Sequence, residues 1–159
     1  MKIDVRLMTH EDRPTITKIL RSTPEFKPFE VAVAEEIIDS YLKDPFGSGF
    51  YILVAEVDAT VTGYICYGPT PMTEGTWDLY WEAVAPEEKG RGIGSALMKS
   101  AEKEIVRAKG RLSIIETSST PAYEKTRHFH INQGYEIVAR IPDFYAPGDD
   151  KLILQKRLR

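Results

Sequence analysis

Three glycines at alternate positions, Gly90, Gly92 and Gly94 in Glu88–Ser95 (EKGRGIGS), stand where an alternating strand pattern over Thr76–Val84 gives way to a helical pattern over Ile93–Ala108. Glycines so placed let the main chain turn sharply and approach another group without a Cβ in the way. The first N–H groups of the helix have no partner inside it and point outward, a geometry suited to an anion and above all to a pyrophosphate. A further strand, Leu112–Thr117, follows, so this stretch reads as one βαβ unit.

What surrounds that unit limits the fold further. Ile3–Leu7 alternates as a short strand, and Thr9 is an N-cap with Glu11 and Asp12 in the first turn of a helix running through Leu20 and ending by Pro24. A second helix is expected over about Glu30–Leu42, with Val31, Ala34, Ile37, Ile38 and Tyr41 as its apolar stripe, stopping before Asp44-Pro45. Tyr51–Val57 and Val61–Tyr67 form a hairpin about Asp58-Ala59-Thr60, so antiparallel strands precede the βαβ unit. After it come a helix over Pro121–Gln133 closed by Gly134, a strand over Tyr135–Ile141, the Pro147-Gly148-Asp149 turn and a last strand over Lys151–Lys156. We find no repeat or interdomain linker, and expect a single domain over residues 1–159.

Other glycine motifs fit less well. A Walker loop needs GxxxxGK[ST], which is absent. A dinucleotide fingerprint is nearer, with Ser95 at the third glycine's place and Glu116 as ribose ligand, but that fold opens on its βαβ unit and continues with parallel strands. A net charge of −3 provides no basic footprint for nucleic acid. One cysteine, Cys66, excludes a disulfide framework and a Cys/His metal centre, and no segment has the roughly 20 apolar residues of a membrane span. We therefore expect a cytoplasmic protein with no metal, no nucleic-acid partner and no membrane anchor.

Val84-Ala85-Pro86 followed by Lys89-Gly90-Arg91-Gly92-Ile93-Gly94 resembles the signature of the GNAT superfamily of N-acetyltransferases, Gln/Arg-x-x-Gly-x-Gly/Ala after a Val-x-Pro strand end. Lys89 departs from it, keeping a donor but losing the amide or guanidinium fork. The order of elements is similar over nearly the whole chain. The resemblance implies a mixed α/β fold, with a mostly antiparallel twisted sheet of six to seven strands, a V-shaped splay and helices on both faces. It also implies acetyl-CoA as acyl donor, an amine acceptor, and direct transfer in a ternary complex; a homodimer is compatible with it. The pyrophosphate would lie on the amides of Arg91, Gly92, Ile93, Gly94 and Ser95, and the pantetheine arm would pair with the strand at Val84.

An attacking amine needs a base, and a leaving thiolate benefits from an acid. Strict alternation puts Asp78, Tyr80 and Glu82 on one strand face, opposite Leu79, Trp81 and Ala83, so two carboxylates are expected side by side. The resemblance sets Asp78 where histone-modifying members carry a glutamate base, with Glu82 nearer the thioester. It sets His130, in His130-Ile131-Asn132-Gln133-Gly134-Tyr135, where many members have a tyrosine acid, and Tyr123 where many have an asparagine against the pantetheine. Imidazole titrates near pH 6.5, so proton supply from His130 would decline through neutral pH. The Asp143–Asp150 segment, polar and aromatic, is read as an acceptor-side loop. A non-catalytic acyl-CoA sensor and a nucleotide-binding oxidoreductase remain as alternatives.

Overall fold

The computed structural model describes residues 1–159. Its strands are β1 (Ile3–Leu7), β2 (Tyr51–Val57), β3 (Thr60–Pro69), β4 (Thr76–Val84), β5 (Leu112–Ser118), β6 (Glu136–Ala146) and β7 (Asp149–Arg157). Its α-helices are α1 (Arg13–Ser22), α2 (Pro28–Lys43), α3 (Ile93–Arg107) and α4 (Glu124–Asn132). The strands make one seven-stranded sheet in the order β1-β2-β3-β4-β5-β7-β6, antiparallel except for β4 against β5.

Local chemistry accounts for the element ends. Thr9 opens a 3-10 turn over His10–Asp12 in which the Asp12 carboxylate accepts the Thr9 N–H at 2.8 Å, a capping box ahead of α1. α2 begins at Pro28, earlier than expected, because proline lacks the N–H that a first helical turn leaves unbonded. Asp58 and Ala59, with φ of 50° and 63°, form a two-residue turn whose left-handed backbone matches the twist of β2 and β3.

Both sheet faces are covered. On one, Leu53, Ile65, Tyr67, Leu79 and Leu154 pack against Ile93, Leu97, Met98, Ala101 and Ile105 of α3, with Phe129 of α4 at the margin. On the other, Ile52, Val54, Tyr64 and Cys66 pack against Ile16 and Leu20 of α1 and Val31, Ala34, Ile38 and Tyr41 of α2. Cys66 is core, as its apolar surroundings in the sequence suggest. No helix is long and apolar enough to cross a membrane.

Two departures from the sequence reading bear on the site. Trp81 pairs with Cys66 but Leu79 pairs with Tyr67, so Tyr80 is an extra residue in β4, a bulge. Alternation inverts there: Trp77 and Leu79 belong to the α3 face, Trp81 and Ala83 to the α1/α2 face. The expected single face carrying Asp78 and Glu82 does not exist. The Asp143–Asp150 segment is also no open loop, since β6 continues to Ala146 and only Pro147-Gly148 separates it from β7. Within β6 the ladder jumps from Ile141↔Lys151 to Ala146↔Asp149, leaving Pro142–Tyr145 bulged.

Candidate active site

β4 and β5 pair only from Thr76↔Leu112 to Leu79↔Ile115. Beyond that β4 stays bonded to β3 as far as Val84↔Gly63, while β5 stays bonded to β7 as far as Ser118↔Lys151, so the two strands part. The expected splay is present, and it opens at the Tyr80 bulge. A cleft of about 1280 Å³ occupies it, bounded by the start of α2, the start of α3, α4 and the β6–β7 hairpin.

At one end lies the glycine segment. Gly90 and Gly92 have φ of 81° and 84°, and a Cβ at either would meet open space. Gly92 is the N-cap of α3, and the first bond of that turn runs from the Ala96 N–H to the Gly92 carbonyl at 3.0 Å. The six N–H groups from Gly90 to Ser95 donate to no protein acceptor. Six consecutive unengaged amides at a helix N-terminus are a ready anion cradle. Their side chains do other work. Ile93 is core, the Ser95 hydroxyl accepts from Gln133 Nε2 at 3.1 Å, and Arg91 reaches Glu88 at 3.3 Å. Lys89 lies 4.0 Å from Glu25 on the cleft wall. Gly94 differs from its neighbours, because a Cβ there would come within 3.2 Å of the Phe129 ring and 3.5 Å of Glu82 Oε1. A side chain at this position would meet the Phe129 ring first, which makes Gly94 a packing glycine.

A family model for acetyltransferases of the GNAT family matches residues 14–135, the stretch that holds the amide cradle and both splayed strands. The chain belongs to the GNAT family of acetyltransferases. A crystal structure assigned to GNAT acetyltransferases, from Desulfovibrio desulfuricans, is 36% identical and superposes with a TM-score of 0.95 over 99% of this chain and 100% of that one. An uncharacterised N-acetyltransferase of Methanocaldococcus jannaschii is 28% identical over 146 residues, covering 84% of this chain and 89% of that protein. The fold is shared with an aminoglycoside 6′-N-acetyltransferase solved with coenzyme A, at 17% identity and a TM-score of 0.77 over 98% of this chain and 97% of that one.

Within this GNAT cleft the titratable groups fall into distinct environments. Asp78, which lines the cleft, accepts from Thr70 Oγ1 at 2.6 Å and from Tyr80 Oη at 3.4 Å. Burial, with the Asp78 charge adding to it, pushes the Tyr80 hydroxyl up to about 12. Glu82 lies on the α3 side against Gly94, with its Oε2 buried and unpartnered, and burial raises its carboxyl well above the usual range. Desolvation thus favours its neutral form.

His130, in the last turn of α4, is 7% exposed. Its ring lies 5.3 Å from Phe129 and 6.2 Å from Tyr135, Nδ1 has no partner, and burial lowers its pKa to about 4. The expectation that its protonation changes through neutral pH is therefore corrected: the imidazole is neutral there. It lines the cleft alongside Tyr123, whose hydroxyl reaches the Glu25 carbonyl and Glu30 Oε2, each at 3.3 Å. Tyr123 thus spans from the start of α4 to the α1–α2 connection. The sequence reading missed Glu25, Phe26, Phe29 and Glu30 as cleft residues, since nothing local distinguishes them from an ordinary helix start.

Proposed function

We propose that this chain transfers the acetyl group of acetyl-CoA to a primary amine by direct attack within a ternary complex. The observation that carries the reading is the row of six unpartnered amides, Gly90–Ser95, at the mouth of a cleft that opens where β4 and β5 part. Coenzyme A in the aminoglycoside enzyme of the same fold supports the donor's identity. So does size, because 1280 Å³ exceeds the roughly 300–1,000 Å³ of a site for one ligand and leaves room for two.

In this reading the amides of Gly90–Ser95 hold the pyrophosphate, Lys89 adds charge beside it, and the free edge of β4 from Tyr80 to Val84 pairs with the pantetheine amides. Bound acetyl-CoA supplies the acetyl group as a thioester open to an unprotonated amine. Asp78, hydrogen-bonded and on the α2 side, takes the amine's proton through a water; Glu82, whose burial disfavours the charged form, is left to the α3 side of the cleft. Neutral His130 donates an N–H to negative charge at the sulfur without itself becoming charged. Tyr123 holds the α1–α2 connection over the cleft.

Titration calorimetry with CoA, NAD and ATP tests the donor: CoA is expected to bind and the other two not. Saturable CoA release from acetyl-CoA with an amine panel tests the reaction. NAD binding in preference to CoA would overturn the reading.

A further inference from the structure

We propose that the acceptor is a small primary amine carried on an aromatic or branched aliphatic body, with its ammonium end among the unpaired carboxylates of the cleft and its body between Phe29 and Val33 on one wall and Phe144 and Tyr145 on the other. The inference rests on the acetyl-transfer reading above and adds the class of acceptor.

The first observation is charge. Seven carboxylates and three lysines line the cleft. Glu25, Glu88 and Glu116 are matched by Lys89, Arg91 and Lys151. Glu30, Asp78, Glu82 and Asp149 join no ion pair, and of the cleft lysines only Lys27 and Lys125 are left to offset them, so carboxylates stay in excess across this space. His130, almost fully buried with Nδ1 unpartnered, lines that space as well. A cation balances this field.

The second observation is the pair of apolar walls. A surface helix ordinarily has one apolar stripe and a polar opposite face. α2 has its core stripe in Val31, Ala34, Ile38 and Tyr41, yet Phe29 and Val33, one turn apart, stay 65% and 46% exposed on the cleft side. To the same cleft the bulge at Pro142–Tyr145 delivers Phe144 and Tyr145, 51% and 47% exposed, with their rings edge-on at 5.0 Å and the Lys151 ammonium over the Phe144 ring. Scattered exposed apolar residues are normal, but four converging from two elements on one cleft mark a binding surface. A polyhydroxylated amine would lose water at these walls without regaining hydrogen bonds, and a polyamine would bring charge along its whole length. An amine with an apolar body satisfies both ends.

The test compares 2-phenylethylamine and 3-methylbutylamine with spermidine and glucosamine as acceptors. The expected kcat/KM is about tenfold or more higher for the first pair, the scale on which an apolar pocket discriminates. Phe29→Ser and Tyr145→Ser, both at exposed positions, should raise KM for 2-phenylethylamine with CoA affinity by calorimetry unchanged. Preference for spermidine or glucosamine, or equal effects of Phe29→Ser on all four amines, would overturn the inference and leave the acetyl-transfer reading standing. Should no amine turn over, calorimetry of 2-phenylethylamine with the CoA-loaded protein decides: binding weakened by Phe29→Ser supports the acceptor class, and no binding overturns it. Absence of CoA binding overturns the parent reading instead.

Discussion

Asp78 and Glu82 lie four residues apart on β4 and face opposite sides of the sheet, because Tyr80 is bulged out of the ladder with β3. Asp78 is thereby placed among hydrogen-bond donors and Glu82 under the start of α3, where its carboxyl has no partner. Asp78→Asn is expected to lower kcat by about 10²-fold at pH 7, the lower end of general-base effects. Part of that loss should return at higher pH as the free amine becomes abundant, and CoA affinity should not change. Glu82→Gln, replacing a group whose burial disfavours its charged form, should stay within a few-fold of wild type in a pre-steady-state assay at pH 7. Equal losses in both variants would mean that the carboxylates act together after all.

Glu82 also sets a pH dependence of stability. Its folded carboxyl titrates above the unfolded one, so stability falls as pH rises out of the ordinary carboxylate range toward the folded value. Calorimetric melting of Glu82→Gln should match wild type near pH 4 and exceed it at pH 8. A pH-independent difference would mean that the carboxyl is solvated.

For His130 the sign is reversed. The unfolded imidazole takes a proton near pH 6.5 and the folded one only near pH 4, so the unfolded state is favoured progressively as pH falls between them, by about 3 kcal/mol in all. NMR titration should find His130 neutral above pH 5, and single-turnover rates should show no histidine inflection between pH 6 and 8. His130→Phe should remove the acid loss of stability and, by deleting an N–H donor, slow turnover about tenfold; His130→Tyr should retain most activity. An inflection near 6.5 abolished by His130→Phe would show that the ring is solvated in the working enzyme.

The glycines should separate by readout. Gly92→Ala forces a side chain into a left-handed backbone at the cradle, costing about 1 kcal/mol locally, and should weaken CoA binding by roughly tenfold. Gly94→Val meets Phe129 instead and should lower the melting temperature more than it lowers CoA affinity, by the 1–3 kcal/mol typical of overpacking. Calorimetric titration and thermal unfolding of both variants distinguish them, and identical profiles would contradict the division.

The strand-glycine-helix unit, the hairpin before it and the helix closed by Gly134 were legible from the sequence because each is written in short-range terms. Period-2 and period-3.6 patterning fixes which backbone can bury its apolar side, and glycine marks where the chain needs a positive φ, as at Gly90, Gly92 and Gly134. Four features were not legible: the inversion of β4 at Tyr80, the bulge that delivers Phe144 and Tyr145, the packing role of Gly94, and the burial that favours the neutral forms of Glu82 and His130. Each depends on a partner distant in sequence: Tyr67 across the ladder from Leu79, Lys151 from Ile141, Phe129 against Gly94, and Tyr135 beside His130 across the chain reversal at Gly134. Alternation assumes an unbroken ladder, and the ordinary titration range of a side chain assumes water around it. Only tertiary packing decides where a ladder breaks and which ionisable group is left dry.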